Sequence, residues 1–193
     1  MQSPAEEIAQ VIKLLCSSAS PDIQKATVEK YFCPDAEFRH PLCHVPPGIK
    51  SREEILGIYQ WYRIMSPKLS IEVHSVMYDE RQGRLITDST QLFHIRWNPF
   101  RPASARLMTH IKLREVDGLH YIALQEDWYH PDDFMNLLVP PLTPLIRLGM
   151  RIGSIGSNIN ATLFQVLLGW WRPGSGQIVH DVKEIGKPAG RDD

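Results

Sequence analysis

The chain is poor in the features that mark a specialised class. Its 193 residues carry a net charge of −1, so no basic footprint argues for nucleic acid. Its three cysteines, Cys16, Cys33 and Cys43, are too few and too irregularly spaced for a disulfide framework. They read as free thiols in a reducing compartment. The histidines are scattered, with no His-x-x-x-His and no cysteine pair, so no metal is implied. No glycine-rich phosphate loop and no Gly-x-Ser-x-Gly elbow occurs. The N-terminal Met-Gln-Ser-Pro-Ala-Glu-Glu lacks the apolar core of a signal peptide. No apolar run reaches the length of a membrane span without a proline or glycine break. These absences lead us to expect a cytoplasmic protein without a cofactor. Any catalysis would then be acid–base chemistry by its own side chains.

What is present changes period along the chain. Ile8, Val11, Ile12 and Leu15 predict a helix over 4–18. Ser20-Pro21 ends that pattern, and Asp22 is placed to cap a second helix running through Tyr31. Residues 32–41 leave the helix as a short strand. Ser51-Arg52-Glu53-Glu54 has the form of a capping box and opens a helix to about Ile64. From Pro67 the period becomes two, and strands are expected over 69–79, 84–97, 104–116 and 119–130. Helices followed by an antiparallel meander make an α+β fold. Residues 136–172 form an apolar extension interrupted by prolines 140, 141 and 144, and 173–193 a polar tail expected to be disordered.

The richest segment is 117–134. Asp117-Gly118 signals a two-residue hairpin. In plain alternation Ile122, Leu124, Glu126, Trp128 and His130 share one face of the following strand. That face is apolar at one end and polar-aromatic at the other, as a strand inside a cone-shaped ligand cavity should be. Asp127 belongs to the opposite face unless a bulge turns it inward. Asp88, mid-strand among apolar residues, needs a partner such as Arg96 or His110.

Three segments resemble the NTF2-like superfamily. Phe32-Cys-Pro-Asp-Ala-Glu-Phe-Arg-His-Pro41 resembles its step from the second helix into the first strand. Ser51–Tyr62 resembles its third helix, and the Asp-Gly hairpin with Glu126-Asp-Trp-Tyr-His130 its last strand. The resemblance covers about residues 5–135, and the apolar extension is similar to that of fungal SigF-like members. It implies three N-terminal helices packed in a strongly curved sheet, with a pocket between them for a hydrophobic small molecule. It also implies a homodimer through the outer sheet face. His74 and His94 lie in segments similar to those holding two histidines of scytalone dehydratase. His130 stands where SnoaL-like cyclases and limonene-epoxide hydrolase carry an aspartate.

The candidates for catalysis are therefore His74, His94, His130, Asp127 and Tyr62. Tyr31, His40, Tyr59, Glu126, Trp128 and Arg96 are candidates for substrate binding. The expected activity is a cofactor-free isomerase, dehydratase or cyclase acting on an apolar, carbonyl-bearing metabolite of polyketide or terpenoid type. The alternative is a non-catalytic binder of small molecules or lipids, with membrane-surface contact through 136–172.

Overall fold

Helix periodicity at the start of the chain becomes a packed layer. The computed structural model describes residues 1–18 and 20–172. Helix α1, Pro4–Ser17, buries Ile8, Val11, Ile12 and Leu15, the stripe expected from their spacing. Helix α2, Pro21–Tyr31, is capped by Ser20, whose hydroxyl accepts from the Asp22 N–H at 3.1 Å. Asp22 therefore lies in the first turn rather than at the cap. Helix α3, Ser51–Met65, begins at the residue expected to cap it. The Ser51 hydroxyl donates instead to the Gly48 carbonyl at 3.0 Å, so the capping box does not form.

The strands are β1 (Phe32–His40), β2 (Cys43–Val45), β3 (Ser70–Asp79), β4 (Arg84–Phe93), β5 (Ala103–Val116) and β6 (Leu119–Tyr129). They form one six-stranded curved sheet in the order β2-β1-β6-β5-β4-β3. All neighbours are antiparallel except β1 and β6, which pair parallel. β4 stops at Phe93, four residues short of the expected end, because His94 leaves the ladder and its N–H donates to the Ser66 hydroxyl at 2.9 Å. Asp117 and Gly118 both take positive φ, 52° and 74°, as a type I′ hairpin turn requires.

Beyond β6 come α4 (Pro131–Leu138), a 3-10 turn over Pro140–Leu142, and α5 (Thr143–Leu167). The chain divides into two compact units, Met1–Arg147 and a second beginning at Leu148. Helix α4 belongs to the first. It buries Leu137 and is tied to β5 by Asn136, whose amide donates to the Ser104 carbonyl at 2.9 Å. The tail from residue 173 lies outside the described residues. No helix among the described residues is long and apolar enough to cross a membrane.

Candidate functional site

The concave face of the sheet is polar where a plain core would be apolar. Alternation along β4 turns Leu85, Thr87, Ser89 and Gln91 inward, and all four are buried. On β5 the inward set is Leu107, Thr109 and Ile111. On β6 plain alternation fails. Lys112 of β5 pairs with Leu124 and Leu113 with Ile122, so Ala123 has no partner and bulges. The extra residue reverses the parity of the strand. Ile122 points to the core before it; Gln125, Asp127 and Tyr129 point inward after it.

Asp127 thus stands in a row with Thr109 and Thr87 across three strands. Its Oδ1 accepts from the Thr109 hydroxyl at 3.0 Å and from the Gln125 amide at 3.1 Å. Gln125 is fixed in turn by the Tyr59 hydroxyl, which donates to its Oε1 at 2.9 Å. Burial raises the Asp127 pKa to about 6, more than its two hydrogen bonds lower it, since desolvation penalises the carboxylate. Both bonds fall on Oδ1, leaving Oδ2 for whatever occupies the neighbouring space. That space is a cavity of about 30 Å³, lined among others by Asp127, Cys16, Tyr59, Tyr62, Gln91 and Tyr129. It has room for about one water molecule. Cys16 is a neutral thiol there, its pKa pushed up to about 12 by burial.

A second space of about 50 Å³ adjoins it through shared walls, Tyr62, Gln91 and Tyr129. Its other walls are His40, Phe93 and the α4 side chains Phe134, Leu137 and Leu138. His40 packs edge-on to Tyr129 and Phe134, with ring centroids 5.6 and 5.9 Å apart. Its Nδ1 accepts from the Leu42 N–H at 3.2 Å, and burial lowers its pKa to about 4. The ring is therefore neutral, with its proton on Nε2. Tyr129 donates to Gln91 at 2.7 Å. The Tyr62 hydroxyl meets only the Cys43 sulfur, at 3.7 Å. Of the three pocket phenols, Tyr62 alone has no strong acceptor, and burial holds it protonated.

Four of the eleven expected site residues meet at these two spaces: Asp127, Tyr62, Tyr59 and His40. The other seven are placed elsewhere. His74 sits at a register shift in β3, exposed, against the Thr90 hydroxyl at 2.7 Å. The ring of His94 meets the Phe100 carbonyl at 2.9 Å and braces the loop after β4. His130 is exposed and bonds Asp132, which also accepts from Arg147 at 2.7 Å. Glu126 and Trp128, expected inward, are turned out by the bulge. Glu126 pairs with Arg39 at 2.7 Å and His110 at 2.9 Å, and Trp128 stacks on His110. Tyr31 ends α2 under the Lys30 ammonium. Arg96 lines an open groove beside α2 and donates to the Ile64 carbonyl at 3.3 Å. Asp88 is not a buried acid; it forms a two-pronged pair with Arg106 on the outer face, at 2.8 and 2.7 Å.

Cys16, Gln91, Thr109, Gln125 and Tyr129 escaped the sequence reading. For Gln91 and Thr109 the signal was the polar residues recurring at every second position of β4 and at the centre of β5, which marks a polar inner face. No group of three His, Cys, Asp or Glu side chains among the described residues is placed to hold a metal.

A helix-lined cone with one buried carboxylate beside phenols defines the class, an NTF2-like α+β domain. The chain belongs to the SigF NTF2-like domain family, whose model matches residues 1–170. No curated protein matches it. A solved structure from Catenulispora acidiphila, with a ketosteroid isomerase-like fold and in complex with trimethylamine, is similar at 15% identity and a TM-score of 0.55, covering 68% of this chain and 91% of that one. An LEH-like epoxide hydrolase from M. tuberculosis is similar at 14% identity and a TM-score of 0.51, covering 75% and 98%. At such identities the likeness establishes the fold and leaves the chemistry to the site.

Proposed function

We propose that the protein is an acid–base enzyme acting on a small, apolar, carbonyl-bearing molecule, as an isomerase, dehydratase or cyclase. Asp127 Oδ2 takes a proton from the carbon next to the carbonyl, and the Tyr62 hydroxyl donates to the carbonyl oxygen where negative charge develops. The observation that carries this reading is the buried Asp127 carboxylate with a pKa of about 6 at the wall of a cavity. A base with a pKa near the working pH combines adequate ionisation with adequate basicity. Three phenols, two amides and a thiol around it supply orientation without a competing charge. His40, Phe93 and Phe134 supply apolar walls.

The two spaces are far smaller than the roughly 300 Å³ or more a drug-sized ligand occupies. A substrate of terpenoid or polyketide size therefore requires α4 to lift its Phe134, Leu137 and Leu138 side chains. The largely apolar outer space also supports the second reading, a binder without chemistry.

Native mass spectrometry of the purified protein for a retained ligand, followed by assay of its turnover, separates the two. Under the enzyme reading Asp127→Asn lowers turnover by about 10²–10⁴ while ligand is still retained, and Tyr62→Phe lowers it less. A ligand that is held but never converted, by the native protein or the variants, makes the protein a binder.

A further inference from the structure

The second unit carries a helix face that the site chemistry does not use. Leu148, Ile152, Ile155, Ile159, Leu163 and Val166 fall within about 80° of the circumference of α5 at 3.6 residues per turn. Each is 46–63% exposed. Leu167 and Phe164 widen the apolar arc to about 180°, and apart from Asn160 only glycines interrupt it. The opposite half bears Ser154, Ser157, Asn158, Thr162 and Gln165, and Arg151 is the single charge between Leu148 and Leu167. The three hydroxyls on that half donate to backbone carbonyls one turn back, at 2.9–3.1 Å.

The helix ends at Leu167, and at Gly169, with φ 70°, the chain turns back so that Trp170 stacks on Phe164 with ring centroids 5.6 Å apart. Arg172 closes the last carbonyls, donating to Val166 at 3.0 Å and to Gln165. Trp171 is 94% exposed. No acidic residue occurs from 134 to 180, so nothing in the segment repels lipid phosphate.

We infer that residues 148–171 lie along a bilayer surface and recognise loosely packed, strongly curved lipid rather than anionic headgroups. The arc is broader than the narrow seam of a coiled coil. It is too short of apolar continuity to span, since glycines interrupt the arc and mostly polar residues fill the other half. A helix with a wide apolar face, terminal tryptophans and a nearly uncharged polar face gains its affinity from apolar insertion. Insertion is easiest where acyl chains are already exposed between headgroups. With one arginine on the polar face, attraction to anionic lipid contributes little, and salt has little to screen.

The test is flotation of the full-length protein with dioleoylphosphatidylcholine vesicles. Sonicated, highly curved vesicles are expected to float at least about tenfold more protein than large extruded ones at equal lipid. Phosphatidylserine or high salt should change this by less than about twofold. Ile152→Asp with Ile159→Asp should abolish flotation, and Arg151→Ala should leave it within about twofold. If circular dichroism shows that the double aspartate variant has lost its helix, Ile152→Ala with Ile159→Ala, which favours helix, should still weaken flotation severalfold. Absence of flotation with any vesicle overturns the inference. So does binding that needs phosphatidylserine or Arg151, or flotation indifferent to the isoleucine substitutions. A stable dimer in sedimentation velocity that dissociates in the double aspartate variant would assign the face to a second copy of the chain instead.

Discussion

Among the described residues, burial moves the pKa of Asp127 up to about 6 and that of half-buried His40 down to about 4, and the two act in opposite directions. The Asp127 pKa of about 6 exceeds its ordinary 3.8. Folding is therefore undisturbed by this group below that ordinary value, where both states hold the proton. Stability falls as pH rises between the two values, and above about pH 6 the deficit is complete, at about 3 kcal/mol for a difference of this size. His40 is lowered from 6.5 to about 4 by burial. Its stability is full above the ordinary value and is lost as pH falls toward the lower one. Across pH 4–6 the two slopes oppose each other. Asp127→Asn keeps an acceptor for Thr109 and Gln125 and removes one slope. It is expected to be more stable than the native chain near neutral pH by about 1–3 kcal/mol, with the difference gone near pH 4. Its own stability should then climb with pH, as His40 and the carboxylates with lowered pKa values dictate. Urea titrations across this range measure both. A variant less stable than the native chain at neutral pH would show that the Asp127 hydrogen bonds outweigh its desolvation.

Among the elements, β6 carries the acid on which the proposed function rests. One unpaired residue, Ala123, exchanges the sets presented by the two faces of the strand. Without it Glu126 and Trp128 would enter the cone and Asp127 would face out. Deleting Ala123 should therefore force a charge into the core or break the ladder with β5. Either is expected to cost at least about 3 kcal/mol, read as a lowered urea midpoint with loss of native near-ultraviolet dichroism. A deletion variant of native stability would mean that the hairpin at Asp117-Gly118 absorbs the change. On the proposed reading, helix α4 governs access. Its ties are the amide of Asn136 on Ser104 and the Arg147–Asp132–His130 cluster, in which Arg147 first and His130 second hold the Asp132 pKa down to about 2. The helix is short, capped by no side chain, and forms one wall of the outer space.

For the molecule as a whole, cohesion should follow the sheet. β4, β5 and β6 are paired on both sides, and the inner face they share is buried against α1 and α3. Residues 94–102 have no ladder. They are held by contacts such as the Arg96 N–H on the Met65 carbonyl at 2.7 Å, and they leave Trp97 exposed. Amide hydrogen exchange is expected to be slowest in the centres of β5 and β6. It should be faster by about two orders of magnitude or more in 94–102 and α4. Comparable protection in α4 and β5 would contradict the view of α4 as a movable roof.

Much of this was legible residue by residue. Helix α1 followed from Ile8, Val11, Ile12 and Leu15, because a stripe at helical spacing has one way to be buried. The hairpin followed from Asp117-Gly118, because few other pairs accept two positive φ values. Strand limits were read to within a residue or two except in β4, and the three-residue β2 was not foreseen. The family, and with it the curved sheet, followed from the segments at 32–41, 51–62 and 117–130. The side of the sheet on which β6 carries its acids did not follow. A bulge changes no residue type and leaves no composition signal, and it exists only because β5 offers one fewer partner than β6 needs. His74, His94, Glu126, Trp128 and His130 drew attention by their chemistry, yet pairing register, set by two strands together, placed His74, Glu126 and Trp128 away from the cavity, and His94 and His130 lie past the ends of their strands. Asp127, Tyr62, Gln125 and Tyr59 come together from α3 and β6, 60-odd residues apart, and only the folding of one element onto the other could show which polar groups share a wall.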